Sequence, residues 1–301
     1  MACLLTLLAL SSAMAQQTRF DSEAGATSTK FDYEWIDHLG IAHEVTFELD
    51  NSDIERDLAI PLDIEWAKMD AFVSKELYAW ADTQPDIALE LKTNDTGRMR
   101  LTAIAEKSRL SSAFDEAWDQ MHQAEDLWAQ NNGYIREDGN FFLEDHAKLS
   151  AEYAPRLAAV ATALASEGDT PRDFALRALG FLQNIPYDAR SLGRDIGYRR
   201  PFAALAQNRA DCDSKSVVML ALMRAAYPDL GVAVVNIPGH TFVALELEPG
   251  QSDITVDWQG KSWVTADPVG PFVDDLGSLS KRTTRMIKRG RHDVRAVQPT
   301  R

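Results

Sequence analysis

Cysteine is almost missing from this chain: its 301 residues hold two, Cys3 and Cys212. Basic residues are scarce as well, with 31 Lys and Arg against 46 Asp and Glu and a formal net charge of −15. A surface of that sign repels a phosphate backbone, so nucleic acid is not expected as a partner. Long apolar runs are lacking too. The N-terminal stretch Ala2 to Leu10 is uncharged but falls well short of the roughly 20 residues that span a bilayer. No internal repeat or low-complexity tract is present. His38 and His43 are read as hairpin residues without a ligand set at metal-site spacing, and neither a metal nor a cofactor is expected.

What is present begins with that apolar run. It leads to the small residues Ala13-Met14-Ala15, the pattern a signal peptidase reads, so residues 1–15 are expected to be a secretory signal. The mature protein would then work in the periplasm or outside the cell. Cys3 would leave with the signal. Cys212 would remain as a single thiol in a compartment that permits disulfides, which marks it as a candidate reactive group.

The expected fold class is α+β. Residues 16–30 are polar and small and read as a flexible lead-in. Residues 31–145 read as an N-terminal α+β region without visible chemistry. It holds a hairpin from Phe31 to Leu49, a helix from Ile60 to Ala81, a strand pair around Asn94-Asp95-Thr96-Gly97, a helix from Leu110 to Gln130 and a second hairpin around Glu137-Asp138-Gly139-Asn140. The aromatic stripe of the second helix, Phe114, Trp118 and Trp128, is read as core. Residues 146–280 continue with helices at 147–166 and 172–183 and an irregular segment from Asp188 to Gln207. A buried helix from Cys212 then precedes strands at 232–237, 241–247, 254–258 and 262–266. Residues 281–301 carry eight basic residues and one acid, a charge of +7 that leaves −22 for the rest. They are read as a solvated tail or helix, able to touch a membrane or anionic envelope polymers.

The chemistry concentrates in three short segments. Asp211 is a good N-cap, which sets Cys212 in the first turn of a helix, where unpaired N–H groups and the macrodipole favour thiolate. His240 opens a strand, and Asp267 closes one. A thiol, a base and a group that orients the base are the parts of nucleophilic cysteine catalysis. The Cys212 side is also awkward, since Asp211 and Asp213 flank the sulfur and oppose its ionisation. Asp257 is the competitor of Asp267 if the strands form a simple meander.

These segments resemble those of the transglutaminase-like superfamily. Asp211-Cys212-Asp213-Ser214-Lys215 is similar to its Gly-Asp-Cys-Glu-Asp-Lys type segment, Gly239-His240-Thr241-Phe242 to its Gly-His-Ala-Trp, and Trp263-Val264-Thr265-Ala266-Asp267-Pro268 to its Trp-Val-x-Leu-Asp-Pro. Ile185-Pro186-Tyr187 stands where the family has an Ile-x-Tyr. The chain departs from the pattern at Arg209-Ala210, where a Gly is usual. The resemblance covers about residues 170–272. It implies a papain-like core with a central helix on an antiparallel sheet, Cys212 as nucleophile, His240 as base and Asp267 as its orienting partner. The Cys212 N–H, with Gln207 as a side-chain candidate, would form the oxyanion hole. It also implies a cysteine peptidase or amidase acting on a peptide or protein of the cell envelope through an acyl-thioester. Acyl transfer to an amine and a non-catalytic binding module are the alternatives. Calcium at Asp211 and Asp213 is the alternative to helix capping, and the arginines of 188–207 are candidates for lining an acid-selective cleft.

Overall fold

Alternation of apolar and polar residues lays down the first sheet. The computed structural model describes residues 13–14, 16–93, 99–137, 141–188, 198–270 and 272–297. After β1 (Ala13–Met14), at the end of the expected leader, come β2 (Gln16–Ala24), β3 (Ser28–Ile36) and β4 (Ala42–Asp50), an antiparallel sheet in the order β2-β3-β4. Phe31, Tyr33 and Trp35 of β3 and Val45, Phe47 and Leu49 of β4 are all buried, as period-two side chains on one face must be. The expected lead-in is therefore a strand. Its polar composition reflects an edge position with mostly exposed side chains. A short helix that the sequence reading did not foresee, α1 (Asn51–Leu58), follows.

Two compact units divide the chain differently from the expected boundaries. One comprises Met1–Leu62 with His146–Arg301, and the other is Asp63–Asp145. The reason lies in the core: the β3 and β4 aromatics belong to one cluster with Phe181, Leu182, Val217 and Leu220. Phe181 stands edge-on to Tyr33 with ring centroids 5.0 Å apart, and the Tyr33 hydroxyl donates to the Leu205 carbonyl at 2.6 Å.

The Asp63–Asp145 unit contains α2 (Trp66–Ala81), the hairpin β5 (Ala88–Thr93) and β6 (Met99–Ile104), α3 (Leu110–Asn131), and the short pair β7 (Tyr134–Arg136) and β8 (Phe142–Glu144). The tips of both hairpins, 94–98 and 138–140, lie outside the described residues. On α3 the buried stripe is Ala113, Ala117, Met121, Ala124 and Trp128. Phe114 and Trp118, expected in the core, are 41% and 39% exposed and stack on each other at 6.0 Å. Small alanines mark the close-packed face, and a reading that counts bulky apolar residues passes over them.

The first unit resumes with α4 (His146–Tyr153), α5 (Ala158–Leu164), α6 (Pro171–Asn184), α7 (Pro201–Ala206) and α8 (Cys212–Ala226). A capping box starts α6: the Thr170 hydroxyl accepts from the Asp173 N–H, and the Asp173 carboxylate accepts from the Thr170 N–H. Every α8 residue from Ser214 to Arg224 is buried. Each large apolar side chain in that run stabilises the fold by about 1.5–3 kcal/mol.

Strands β9 (Val232–Ile237), β10 (His240–Leu245), β11 (Thr255–Trp258) and β12 (Lys261–Ala266) form an antiparallel sheet with β14 (Asp293–Val297), in the order β11-β12-β10-β9-β14. Val234, Val243, Leu245 and Val264 share a core with α8, and Val235, Phe242, Ala244 and Trp263 form a second core on the opposite face. Between β12 and β14 come β13 (Phe272–Val273), which pairs with β1, and α9 (Lys281–Lys288), whose Met286 and Ile287 pack against that second core. The basic tail is thus partly built into the sheet. Its short alternation of Asp293 and Arg295 with Val294 and Ala296 is easily passed over in a tail so rich in arginine. Yet β14 runs antiparallel to β9, from Asp293 opposite Asn236 to Val297 opposite Val232. The fold is α+β with antiparallel sheets. Among the described residues no helix is long and apolar enough to cross a membrane.

Candidate active site

The approach to Cys212 is fixed by backbone pairing. Tyr187 forms a parallel bridge with Ala210, in which the Asp188 N–H donates to the Ala210 carbonyl at 3.1 Å and the Ala210 N–H to the Pro186 carbonyl at 3.2 Å. Just before this bridge, Asn208 adopts a φ of 46°, a left-handed conformation that Asn tolerates better than most residues. It exchanges two side-chain hydrogen bonds with Gln17, at 2.6 and 3.0 Å.

Asp211 then caps α8, its Oδ1 accepting from the Ser214 N–H at 2.8 Å. Burial, and then the charge of Asp213, push the Asp211 carboxyl up to about 6. Lys215 is also buried, and its Nζ donates to the Ile185 carbonyl at 2.6 Å. Burial pulls this ammonium down to about 7, against the charges of Asp267, Asp211 and Cys212.

Sheet order decides the partner of His240. Strand β12, not β11, lies beside β10, with Val243 opposite Ala266. One further step brings Asp267 next to the start of β10. His240 Nε2 and Asp267 Oδ2 are 2.8 Å apart. Asp257, the competitor, lies on the outer strand and accepts from the Ser262 hydroxyl at 2.7 Å. Gly239, at a φ of 76°, makes the turn that starts β10. Phe242 stacks on the imidazole at 5.8 Å. Asp267 is itself held: its Oδ1 accepts from the Val269 N–H at 3.2 Å, and its carbonyl accepts from Gln183 at 2.9 Å.

A carboxylate can only accept, so in the neutral ring Nε2 carries the proton and Nδ1 the basic lone pair. Burial opposes a charged ring, but the hydrogen bond and charge of Asp267, with Asp213 behind them, raise the His240 pKa above its ordinary value.

The thiol is the second focus. Ser216, one turn into α8, donates to the Thr241 carbonyl at 3.4 Å and so joins the helix to the strand start. The Thr241 backbone also hydrogen-bonds the sulfur, bringing the residue after His240 to Cys212. Cys212 Sγ itself donates to Asp213 Oδ2 at 3.4 Å. The other Asp213 oxygen lies 3.1 Å from His146 Nε2 at the start of α4. Burial pushes the thiol pKa far up, and the charges of Asp213 and Asp211 push it further. Burial also opposes ionisation of Asp213, but the hydrogen bond and charge of His146, with hydrogen bonds from Thr241 and Cys212, hold its carboxyl below the ordinary value. Among the described residues no hydrogen bond joins Cys212 to His240.

The arginines of 188–207 do not line an open cleft where they are described. Arg199 and Arg200 are buried. Arg199 binds Asp188 at 2.7 Å and the side-chain oxygen of Gln207, and Arg200 lies over the Tyr198 ring. A charged residue in a polar segment looks exposed in sequence because its buried partner cannot be seen there. Arg190 and Arg194 lie outside the described residues. Among the described residues no three His, Cys, Asp or Glu side chains are grouped to hold a metal ion. His146 was not foreseen as part of this cluster, since a lone His at a helix start carries no spacing signal. The chain matches no protein-family model, no curated protein and no solved structure.

Proposed function

We propose that this protein is an exported cysteine hydrolase with a transglutaminase-like core, which cleaves an amide in a peptide or protein through an acyl-thioester at Cys212. The observation that carries the reading is the 2.8 Å contact of His240 Nε2 with Asp267, at a strand start hydrogen-bonded to the cysteine's helix. His240 Nδ1 takes the thiol proton as sulfur attacks the carbonyl carbon, and the Cys212 N–H at the helix terminus stabilises the oxyanion. The protonated ring then gives its proton to the departing amine. Water, deprotonated by the same nitrogen, attacks the thioester and releases the acid, and sulfur recovers the proton.

Because burial and two carboxylates hold the sulfur in its protonated form, proton transfer accompanies attack instead of preceding it. A second reading, a binding module that retains the fold, draws support from the same thiol–Asp213 bond. Incubation of envelope proteins with the wild-type chain and with Cys212→Ala distinguishes the two. New termini, together with an acyl adduct on Cys212 seen by mass spectrometry, are expected only for wild type. Cross-linked products would shift the reading to acyl transfer, and identical digests would end it.

A further inference from the structure

The cleft beside His240 has one basic wall. Its volume is about 250 Å³, and its lining includes His240, Asp267, Phe272, Asp274, Ser280 and Arg282. Among the described residues Arg282 is its only cationic lining side chain apart from the imidazole. The guanidinium donates to the Pro238 carbonyl at 3.3 Å and would lie 3.9 Å from a Cβ on Gly239, so it stands at the turn that presents the imidazole. One donor is used there, and a guanidinium has five. Arg282 is exposed and makes no ion pair among the described residues.

The helix that carries Arg282 is fixed in position. The Ser280 hydroxyl caps α9 by accepting from the Thr283 N–H at 3.1 Å, Thr283 is buried, and Met286 and Ile287 pack on the sheet. The remaining basic side chains of this helix, Lys281, Arg285 and Lys288, are exposed. In a chain whose first 280 residues carry −22, the one strongly basic segment therefore adjoins the cleft.

We infer that this cleft selects a substrate bearing a carboxylate beside the scissile amide, with Arg282 as the specificity-determining residue and α9 steering the anion inward. The inference rests on the hydrolase reading above. Arg282 offers the planar fork that matches a carboxylate, and the field of α9 raises the encounter rate of anions. Two acids in the cleft do not undo this. Asp267 is already committed to His240 and the Val269 N–H. Burial and the charge of Asp267 raise the Asp274 pKa above its ordinary value.

The test compares the mature wild type with Arg282→Ala, Arg282→Lys and Arg282→Glu on a peptide library, once with free and once with amidated C termini, reading cleavage sites and kcat/KM. Acid-bearing peptides are expected to lead for wild type. The acid-to-neutral ratio of kcat/KM should fall about tenfold or more in Arg282→Ala, less in Arg282→Lys, and invert toward basic peptides in Arg282→Glu. Loss of preference on amidation assigns the carboxylate to a chain terminus, and its persistence assigns it to Asp or Glu. An acid preference that survives Arg282→Ala, or its absence in wild type, overturns the inference. If nothing is cleaved, retention of the same library on immobilised Cys212→Ala protein is compared with Cys212→Ala/Arg282→Ala. Arg282-dependent retention of acidic peptides would then sustain the anion site while the hydrolase reading fails, and equal retention would reject both.

Discussion

Replacing Asp213 by Asn probes the least expected contact in the site. The thiol proton lies between Sγ and Asp213 Oδ2, which are 3.4 Å apart. Two full charges at that separation repel by about 5 kcal/mol at an effective dielectric of about 20. The Asp213 side chain is 21% exposed and shares its charge with His146, so solvent and the imidazole take much of this away. We expect the thiol pKa in Asp213→Asn to fall by about 1–2 units, each worth about 1.4 kcal/mol. The sign is set by charge, because the substitution removes a negative group from beside an ionising sulfur and leaves an amide that donates to thiolate. Asp211 remains as the cap, so the helix start is retained. The rate of iodoacetamide alkylation, followed against pH, reads the shift directly. The alkylation midpoint should move down, with faster labelling at neutral pH. An unchanged or raised midpoint would refute the claim that Asp213 holds the proton on sulfur.

Two further predictions concern the other charges of the site. His240 must be neutral to act as base, and its pKa is raised by Asp267, so the acid limb of kcat/KM should lie above about 6.5. In Asp267→Asn the limb should move to lower pH, with a loss of about 10²–10⁴-fold because the amide favours the wrong tautomer; a limb that stays in place would detach Asp267 from the base. Asp211 has a folded pKa of about 6 against an ordinary 3.8. Its protonated form favours folding below about pH 3.8, and that contribution is lost as pH rises through about 6. Asn caps equally well and cannot ionise, so Asp211→Asn should be more stable than wild type by about 2–3 kcal/mol at about pH 8 and equal to it at about pH 4. Melting curves at the two pH values decide, and a variant that is less stable at the higher pH would contradict the burial argument.

Local patterns made much of this molecule legible. Period-two alternation defined β3 and β4, an apolar run with a capping Asp defined α8, and Gly239 and Pro268 framed the strand ends that carry His240 and Asp267. What escaped depends on partners distant in sequence. The polar strand β2 is recognisable only through its pairing with β3. Arg199, a candidate for lining a cleft in the sequence, is instead buried against Asp188 and Gln207. The insertion of Asp63–Asp145 between two parts of one core leaves no local mark, because each segment has ordinary composition. The choice between Asp257 and Asp267 turned on whether β12 or β11 borders β10, which periodicity does not encode.

The arrangement of charge also bears on how a cysteine site can work when carboxylates surround its nucleophile. A preformed thiolate–imidazolium pair needs the sulfur to lose its proton before substrate arrives, and here burial, Asp213 and Asp211 all oppose that. The helix terminus contributes only about 0.3–1 kcal/mol at an exposed end, which cannot offset a carboxylate in contact with the sulfur. His240, by contrast, is held with Nε2 on Asp267, so its basic nitrogen is Nδ1. In the proposed hydrolase the proton would therefore leave sulfur only as a carbonyl approaches and the developing charge passes to the oxyanion. A thiol held protonated in this way is expected to react slowly with alkylating agents at rest. Resistance to iodoacetamide in the resting wild type is thus compatible with catalysis, and the acyl adduct on Cys212 is the more discriminating observation.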